Sequence, residues 1–464
     1  MAKAIRGVWA LPPGVDFAAE LLRGLDRRLD PADPLAVARV EIWVNTQRAR
    51  RALLAAGGAG EVRMMPRIRV LDDMAAEISD LPPLLPPLRL KLELARAVRA
   101  LLDAAPDTAG RTAAWPMAES LAALLSEMRF EGVPFPRLVG LEAPDMAGHW
   151  QRALAFLRVL EPVLEDTAGP VDPDRRLMLA MAAKAAAWQV SPPRHPVLVA
   201  GSTGSRRATA EFMAAVTALP QGAVILPGVD ADLPGDLWQD LPDDHPQAGI
   251  ARVADRLGVD PAGLKGWTDA TPPAPERARL MSLALRPAPV TGAWRKEGPA
   301  LKPTLAGIAE QITLIEAPSP QAEADAIALC LREALEHGLR AALITPDRAL
   351  TRRVAAALSR WTITPDDSAG RPLDLTPPGT FLRLVAEIMA GQHDAVRLLA
   401  LMKHPLTASG PEARGPHLGR VARLETVLRA EAGPRVTPAL LAATEGVDAA
   451  WLTPLFEAHP HSRQ

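Results

Sequence analysis

Tyrosine is absent from this 464-residue chain, and cysteine occurs once, at Cys330. A single thiol excludes an intrachain disulfide framework, a four-cysteine zinc site and a cysteine-ligated iron–sulfur cluster. Cys330 lies in "ADAIALCLREAL", whose helical spacing places it on an apolar face and predicts a core position. No uncharged apolar run reaches the eighteen residues of a membrane span. The opening "MAKAIRGVWALPPG" has too short an apolar run for a signal peptide. These absences predict a soluble, cytoplasmic protein with no membrane partner. Charge of one sign is lacking as well. The 52 basic and 54 acidic side chains leave a formal charge of −2, so any nucleic-acid surface must be a local patch. Lysine is scarce, with 7 Lys against 45 Arg, and with abundant Ala and Pro this reports a GC-rich coding bias. The nine histidines are scattered, and their one cluster, the terminal "HPHSRQ", reads as a frayed tail rather than a metal site. No metal and no cofactor is expected in this chain.

The chain is long enough for two to four domains. "GVWALPPGVDFAAELLRGLDRRL" reads as a strand, a Pro-Pro-Gly turn and an amphipathic helix from about Asp16. "RVEIWVNTQRARRALLAA" repeats that grammar, with Thr46 placed to cap the helix, and "RMMPRIRVLDD" supplies another strand. From about Arg89 to Trp188 the apolar residues recur at three- and four-residue steps, which predicts an insertion of four or more helices. At Pro196 the strand–loop–helix grammar returns in "PVLVAGSTGSRRATAEFM", followed by the strand "GAVILPGVD". Strands joined by helices predict right-handed parallel crossovers in an open α/β sheet. Residues 271–303 are rich in Pro and Gly and read as a connection. A second α/β unit is expected from "QITLIEAPSPQAEADAIALCLREALEHG" and "RAALITPDRALTRRVAAALSRW", and helices after Thr380.

Strand, glycine loop and helix is the arrangement that cradles a phosphate, so the loop Gly201–Ser205 merits weighing. It has no lysine and no metal-binding acid nearby. Three readings stand: a phosphate nest, a structural loop, or a DNA-facing loop using Ser202, Thr203, Ser205, Arg206 and Arg207. The first strand ends in "LPPGVDF", where Pro12 and Pro13 lack amide hydrogens and Asp16 stands in place of a lysine. No Gly-Lys-Ser/Thr occurs in the chain, so ATP binding is not expected. The pairs Asp72–Asp73, Asp243–Asp244 and Asp366–Asp367 lack nuclease companions and read as turn and cap residues. Tryptophans in apolar contexts are expected in the core. Arg48, Arg50 and Arg51 open one helix, and Arg348, Arg352 and Arg353 open another; each set is a solvated face or a phosphate-contacting one.

The order of these segments resembles the layout of superfamily 1 helicases, whose two RecA-like domains are each interrupted by a helical insert. "EIWVNTQRARRAL" resembles helicase motif Ia, "VLVAGSTGS" falls at the Walker B strand without its acids, and "ALITPDRALTRRVAAAL" resembles motif IV. More narrowly, "LPPGVDF", "HWQRALAFL", "AGSTGSRRAT", "LPQGAVILPGVD", "DDSAGRPLDLTPPGTFLRLVAE" and "LLALMKHPLTASG" resemble the alphaproteobacterial type of AddB subunit, from the AddAB helicase–nucleases. Only the amino-terminal half of that family is covered; its nuclease domain, with an iron–sulfur cluster, has no counterpart here.

The resemblance implies an α/β fold class with two RecA-like, P-loop-type parallel sheets. Residues 1–88 and 191–270 would form domain 1A, 89–190 its helical insertion and 271–310 a linker. Residues 311–390 would begin domain 2A, and 391–464 the next helical segment. It implies a non-motor subunit that guides or scans single-stranded DNA for the Chi signal, not an enzyme itself. Its partner would be an AddA-type subunit in a heterodimer, and that partner would hold ATP and Mg²⁺. The residues it carries to DNA are Thr46, Arg48 and Arg51, then Ser202, Thr203, Ser205, Arg206 and Arg207, then Thr345, Arg348 and Arg352. Two rival expectations are a stand-alone NTP-using enzyme built on the Gly201–Ser205 loop and an assembly scaffold without DNA contact.

Overall fold

A computed structural model of the chain describes residues 5–58, 63–104, 110–134, 169–391 and 393–431, with a few isolated positions beyond. The chain forms two compact units, Met1–Thr313 and Leu314–Gln464. The first holds β1 (Gly7–Ala10), α1 (Phe17–Asp26), α2 (Ala36–Arg39), β2 (Glu41–Val44), α3 (Gln47–Gly58) and β3 (Arg67–Val70). A helical excursion follows, with α4 (Pro87–Ala104), α5 (Ala114–Phe130) and α6 (Pro173–Val190). The sheet then resumes with β4 (Val197–Ala200), α7 (Arg207–Ala218), β5 (Gly222–Leu226), α8 (Ala248–Arg256) and β6 (Lys265–Gly266). Three short helices close the unit: α9 (Pro275–Ala284), α10 (Ala293–Leu301) and α11 (Leu305–Ala309).

All six strands are parallel, in the order β3-β2-β4-β5-β1-β6. β2, β4 and β5 are buried along their whole length, as continuous apolar strands covered on both faces must be. The period of two sorts their side chains. Ile42, Val44, Leu198, Ala200, Ala223 and Ile225 face α1 and α3, while Trp43, Val197, Val199, Val224 and Leu226 face α6 and α7. α1 starts where Asp16 accepts the Ala19 amide at 3.1 Å, and it buries Leu21, Leu22 and Leu25. Each buried leucine stabilises the fold by about 2 kcal/mol.

Between β3 and β4, outside the sheet, the segments at Leu84 and Val171 form an isolated parallel bridge. Between them α4 and α5 make a pair of their own. Leu94, Val98 and Leu102 of α4 meet Ala118, Leu121 and Leu125 of α5, at the spacing the sequence shows. α6 departs from the expected insertion at 89–190: its Leu177, Ala180 and Met181 belong to the core beneath the sheet. The segment "HWQRALAFLRVLEPVLED" lies outside the described residues.

Two other expectations are corrected. Residues 271–310 are not a plain linker but carry α9 to α11, anchored by buried Leu283, Leu301 and Ile308. Proline permits this by standing at the first turn, as Pro275 does in α9. In the second unit no strand forms among the described residues. "QITLIE" and "AALITP" leave Leu314 and Ile344 exposed, because a strand needs a neighbour to pair its amides and carbonyls. That unit is helical, with α12 (Pro320–Glu336), α13 (Arg348–Ser359), α14 (Pro377–Met389), α15 (Ala395–Lys403) and α16 (Pro411–Glu431). α12 and α13 pack through Ala324, Ala328, Val354 and Leu358. Cys330 is exposed, not core: it sits two residues beyond Ala328 and so on the far side of α12. Among the described residues, no helix is long and apolar enough to cross a membrane.

Candidate nucleic-acid interface

The crossover after β2 runs through α3 to β3 at one edge, and the crossover after β4 runs through α7 to β5 on the other side. β2 and β4 are nevertheless neighbours, with Val44 in register with Ala200. Their carboxyl ends therefore diverge around a topological switch point, the place where open α/β sheets form a ligand crevice. The loop at Thr46 and the loop at Gly201 flank it.

On the β2 side, Thr46 Oγ1 accepts the Ala49 amide at 3.0 Å and caps α3, as its position in the sequence predicts. Gln47 Nε2 donates to Asp73 Oδ2 at 2.8 Å, tying this loop to the end of β3. Arg48, Arg50 and Arg51 are exposed along α3. On the β4 side, the Gly201 amide donates to the Ile225 carbonyl, and the buried Ser202 hydroxyl accepts the Gly204 amide at 3.2 Å. Gly201 (φ +76°) and Gly204 (φ +57°) are left-handed. A Cβ at Gly201 would lie 3.3 Å from Phe17 Cε1, and one at Gly204 2.5 Å from Val253 Cγ2. The glycines thus serve a packed turn, and Ser202 is engaged within it. Thr203, Ser205, Arg206 and Arg207 are exposed.

The two arginines that open α7 differ. The Arg206 guanidinium lies 3.9 Å from the Phe130 ring centroid. It also sits near Asp72, whose carboxyl pKa is raised by partial desolvation while Arg206 opposes the rise. Arg207 Nε donates to Glu211 at 2.7 Å, an exposed pair one helical turn apart. Phe17 and Phe130 were not singled out in the sequence, and Asp72–Asp73 read there only as turn and cap residues. Their contacts to Gly201, Arg206 and Gln47 span distant segments, and no local pattern reports them.

The place of a phosphate loop after β1 is built differently. Gly14 is left-handed (φ +81°), and a Cβ there would meet Pro273 Cδ at 3.2 Å. Proline thus borders this loop on both sides, from Pro12–Pro13 and from Pro273. At the opposite, amino end of β2, buried Glu41 accepts from Trp43 Nε1 at 2.7 Å and lies within 4.0 Å of Arg67, Arg69, Lys184 and His195. That cluster is away from the crevice.

The remaining expected residues belong to the second unit. Thr345 Oγ1 accepts the Asp347 amide at 3.0 Å. Arg348 is clamped by Asp367 through two bonds of 3.0 and 2.9 Å and by the Gly370 carbonyl, and its hydrogen bond to Asp367 raises its pKa. Arg352 is exposed on α13. Thr46, Arg48, Arg51, Ser202, Thr203, Ser205, Arg206 and Arg207 therefore share one sheet edge, while Thr345, Arg348 and Arg352 follow a segment that forms no strand. No group of metal-ligating side chains occurs among the described residues. Neither the known protein-family models nor the curated proteins contain a match to this chain.

Proposed function

We propose that the chain is a non-motor, helicase-like DNA-binding subunit of an AddAB-type helicase–nuclease. In this reading the first unit is an inactivated RecA-like domain that holds single-stranded DNA for a partner ATPase. The observation that carries it is the pairing of β2 with β4, which gathers Thr46–Arg51 and Ser202–Arg207 on the two sides of one switch point. Exposed arginines and hydroxyls there suit phosphate oxygens, which bind without regard to sequence.

Two features favour DNA over a nucleotide. The loop after β1 carries prolines where a phosphate loop needs amides, with Pro273 against Gly14. The Gly201–Ser205 turn engages the Ser202 hydroxyl internally and brings no lysine or acid to a triphosphate. A stand-alone NTP enzyme would need both.

The test is a pair of titrations on the full chain. A fluorescent single-stranded oligonucleotide should bind with a steep salt dependence, and ATP with Mg²⁺ should show no saturable binding at cellular concentrations. ATP binding abolished by changes in the Gly201 loop would replace this reading with the enzyme. The absence of both activities would leave the scaffold.

A further inference from the structure

A cavity of about 290 Å³ opens beside the loop after β1, between the His245–Gln247 turn and α9. Its walls are mostly apolar, formed by Pro13, Pro246, Pro272, Pro273, Met281 and Leu285. Two of its polar atoms, Ser282 Oγ and His245 Nε2, lack partners. Ser282 is only 6% exposed, and its Oγ has no hydrogen bond. His245 Nδ1 accepts the Gln247 amide at 3.1 Å, which puts the neutral ring's proton on Nε2. That Nε2 is buried and also unpartnered. Buried polar atoms normally find partners, and the two residues that carry these atoms both line the one cavity.

Two more donors converge there. Arg277 lines the cavity and holds only a 3.4 Å contact to Gln311 Oε1. Ala274, the residue before α9, supplies no side-chain cap, so the Arg277 amide in the first turn gets no side-chain acceptor from it. The one lining carboxylate, Asp230, already accepts the Asp232 amide. The start of α9 adds positive potential.

We infer that this cavity binds a small carboxylate attached to an apolar body. The carboxylate oxygens accept from Ser282, His245 and Arg277, and the body lies against the proline and methionine walls. The volume is at the small end of ligand sites and suits a single ring or branched chain. Such a carboxylate is found both in a free organic acid and at the end of a polypeptide, and the test separates them.

Benzoate is the probe, titrated into the full chain and followed by ligand-observed NMR. It should bind with a Kd of about 1 mM or tighter, and benzyl alcohol at least about tenfold more weakly. Arg277→Gln should weaken benzoate about tenfold, and Ser282→Ala about threefold to tenfold. Ala278→Leu, which fills the space, should abolish it. Unchanged melting temperatures show that each variant is folded. A peptide with an apolar terminal residue and a free carboxylate forms the second arm. Binding tighter than benzoate, lost on amidation, assigns the site to a polypeptide end; benzoate binding alone assigns it to a free acid. The proposal is overturned if benzoate does not bind, binds no better than benzyl alcohol, or binds the Ala278→Leu variant equally well.

Discussion

Val44 and Ala200 stand in register across the β2–β4 pair, the last residues of their strands, although 156 positions separate them in the chain. Beyond them the backbone turns outward in opposite directions, to Thr46 on one side and Ser202 on the other. Every expectation about the candidate site in the first unit depends on that juxtaposition.

The turn after Ala200 should tolerate no side chain at its first glycine. Gly201→Val would adopt φ +76° with a branched residue and press its Cβ to 3.3 Å from the Phe17 ring. A cost of about 1–3 kcal/mol is expected. Urea unfolding should show a lower midpoint with an unchanged slope. A midpoint equal to the parent's would show that the turn is not as described.

Arg28 is a second point of stability. Its guanidinium lies 3.8 Å from the Trp267 ring centroid and 4.5 Å from that of Trp9, and it donates to the carbonyls of Gly24 and Trp267 at 2.8 and 2.7 Å. Burial lowers its pKa, with Arg27 adding to the effect. Lysine cannot stack as a plane on the two rings. Arg28→Lys should therefore cost about 2 kcal/mol, read by denaturant unfolding together with a shift in tryptophan emission.

Glu425 links α15 to α16 through Lys403 and also pairs with Arg429 at 2.8 Å. Its hydrogen bond to Lys403, then that to Arg429, lowers its pKa. A lowered acid contributes stability above its unfolded pKa of about 4.3 and loses it as pH falls through the folded value. Thermal melts should show the parent gaining over Glu425→Gln at neutral pH, with the difference vanishing in strong acid. A gap that widened in acid would contradict the assignment.

Cys330 should react. It is the only thiol and lies on the exposed side of α12, so one equivalent per chain should be modified by a disulfide reagent without denaturant. Reaction only after unfolding would place it in a core.

Much of the first unit could be read from sequence because its signals are local. Four strands show as apolar runs and β3 as an alternation of arginine with apolar residues, and Asp16 and Thr46 cap the helices they precede. β6 escaped notice because two residues, Lys265–Gly266, carry no periodicity. The helices of residues 271–310 were hidden by proline, which reads as a breaker but sits at a helix start in α9. Cys330 was misplaced because α12 mixes apolar residues around its circumference, with Leu329 and Leu335 exposed. The expected strands of the second unit have the right residues, yet pairing is a property of neighbours and not of a segment. The arginines taught the same lesson: Arg348 meets Asp367 and Arg206 meets Phe130 through contacts that no local motif encodes.

The most direct measurement is the salt dependence of single-strand binding by a variant with Arg48→Ala, Arg51→Ala and Arg207→Ala together. Arg206 and Arg348 are left intact because they hold Phe130 and Asp367. Each lost phosphate contact should flatten the plot of log affinity against log salt by about 0.7, so about 2 in all, with weaker binding. Thermal stability should change little, since exposed arginines contribute little to folding. If affinity and slope both match the parent, single-stranded DNA is not held at this edge of the sheet.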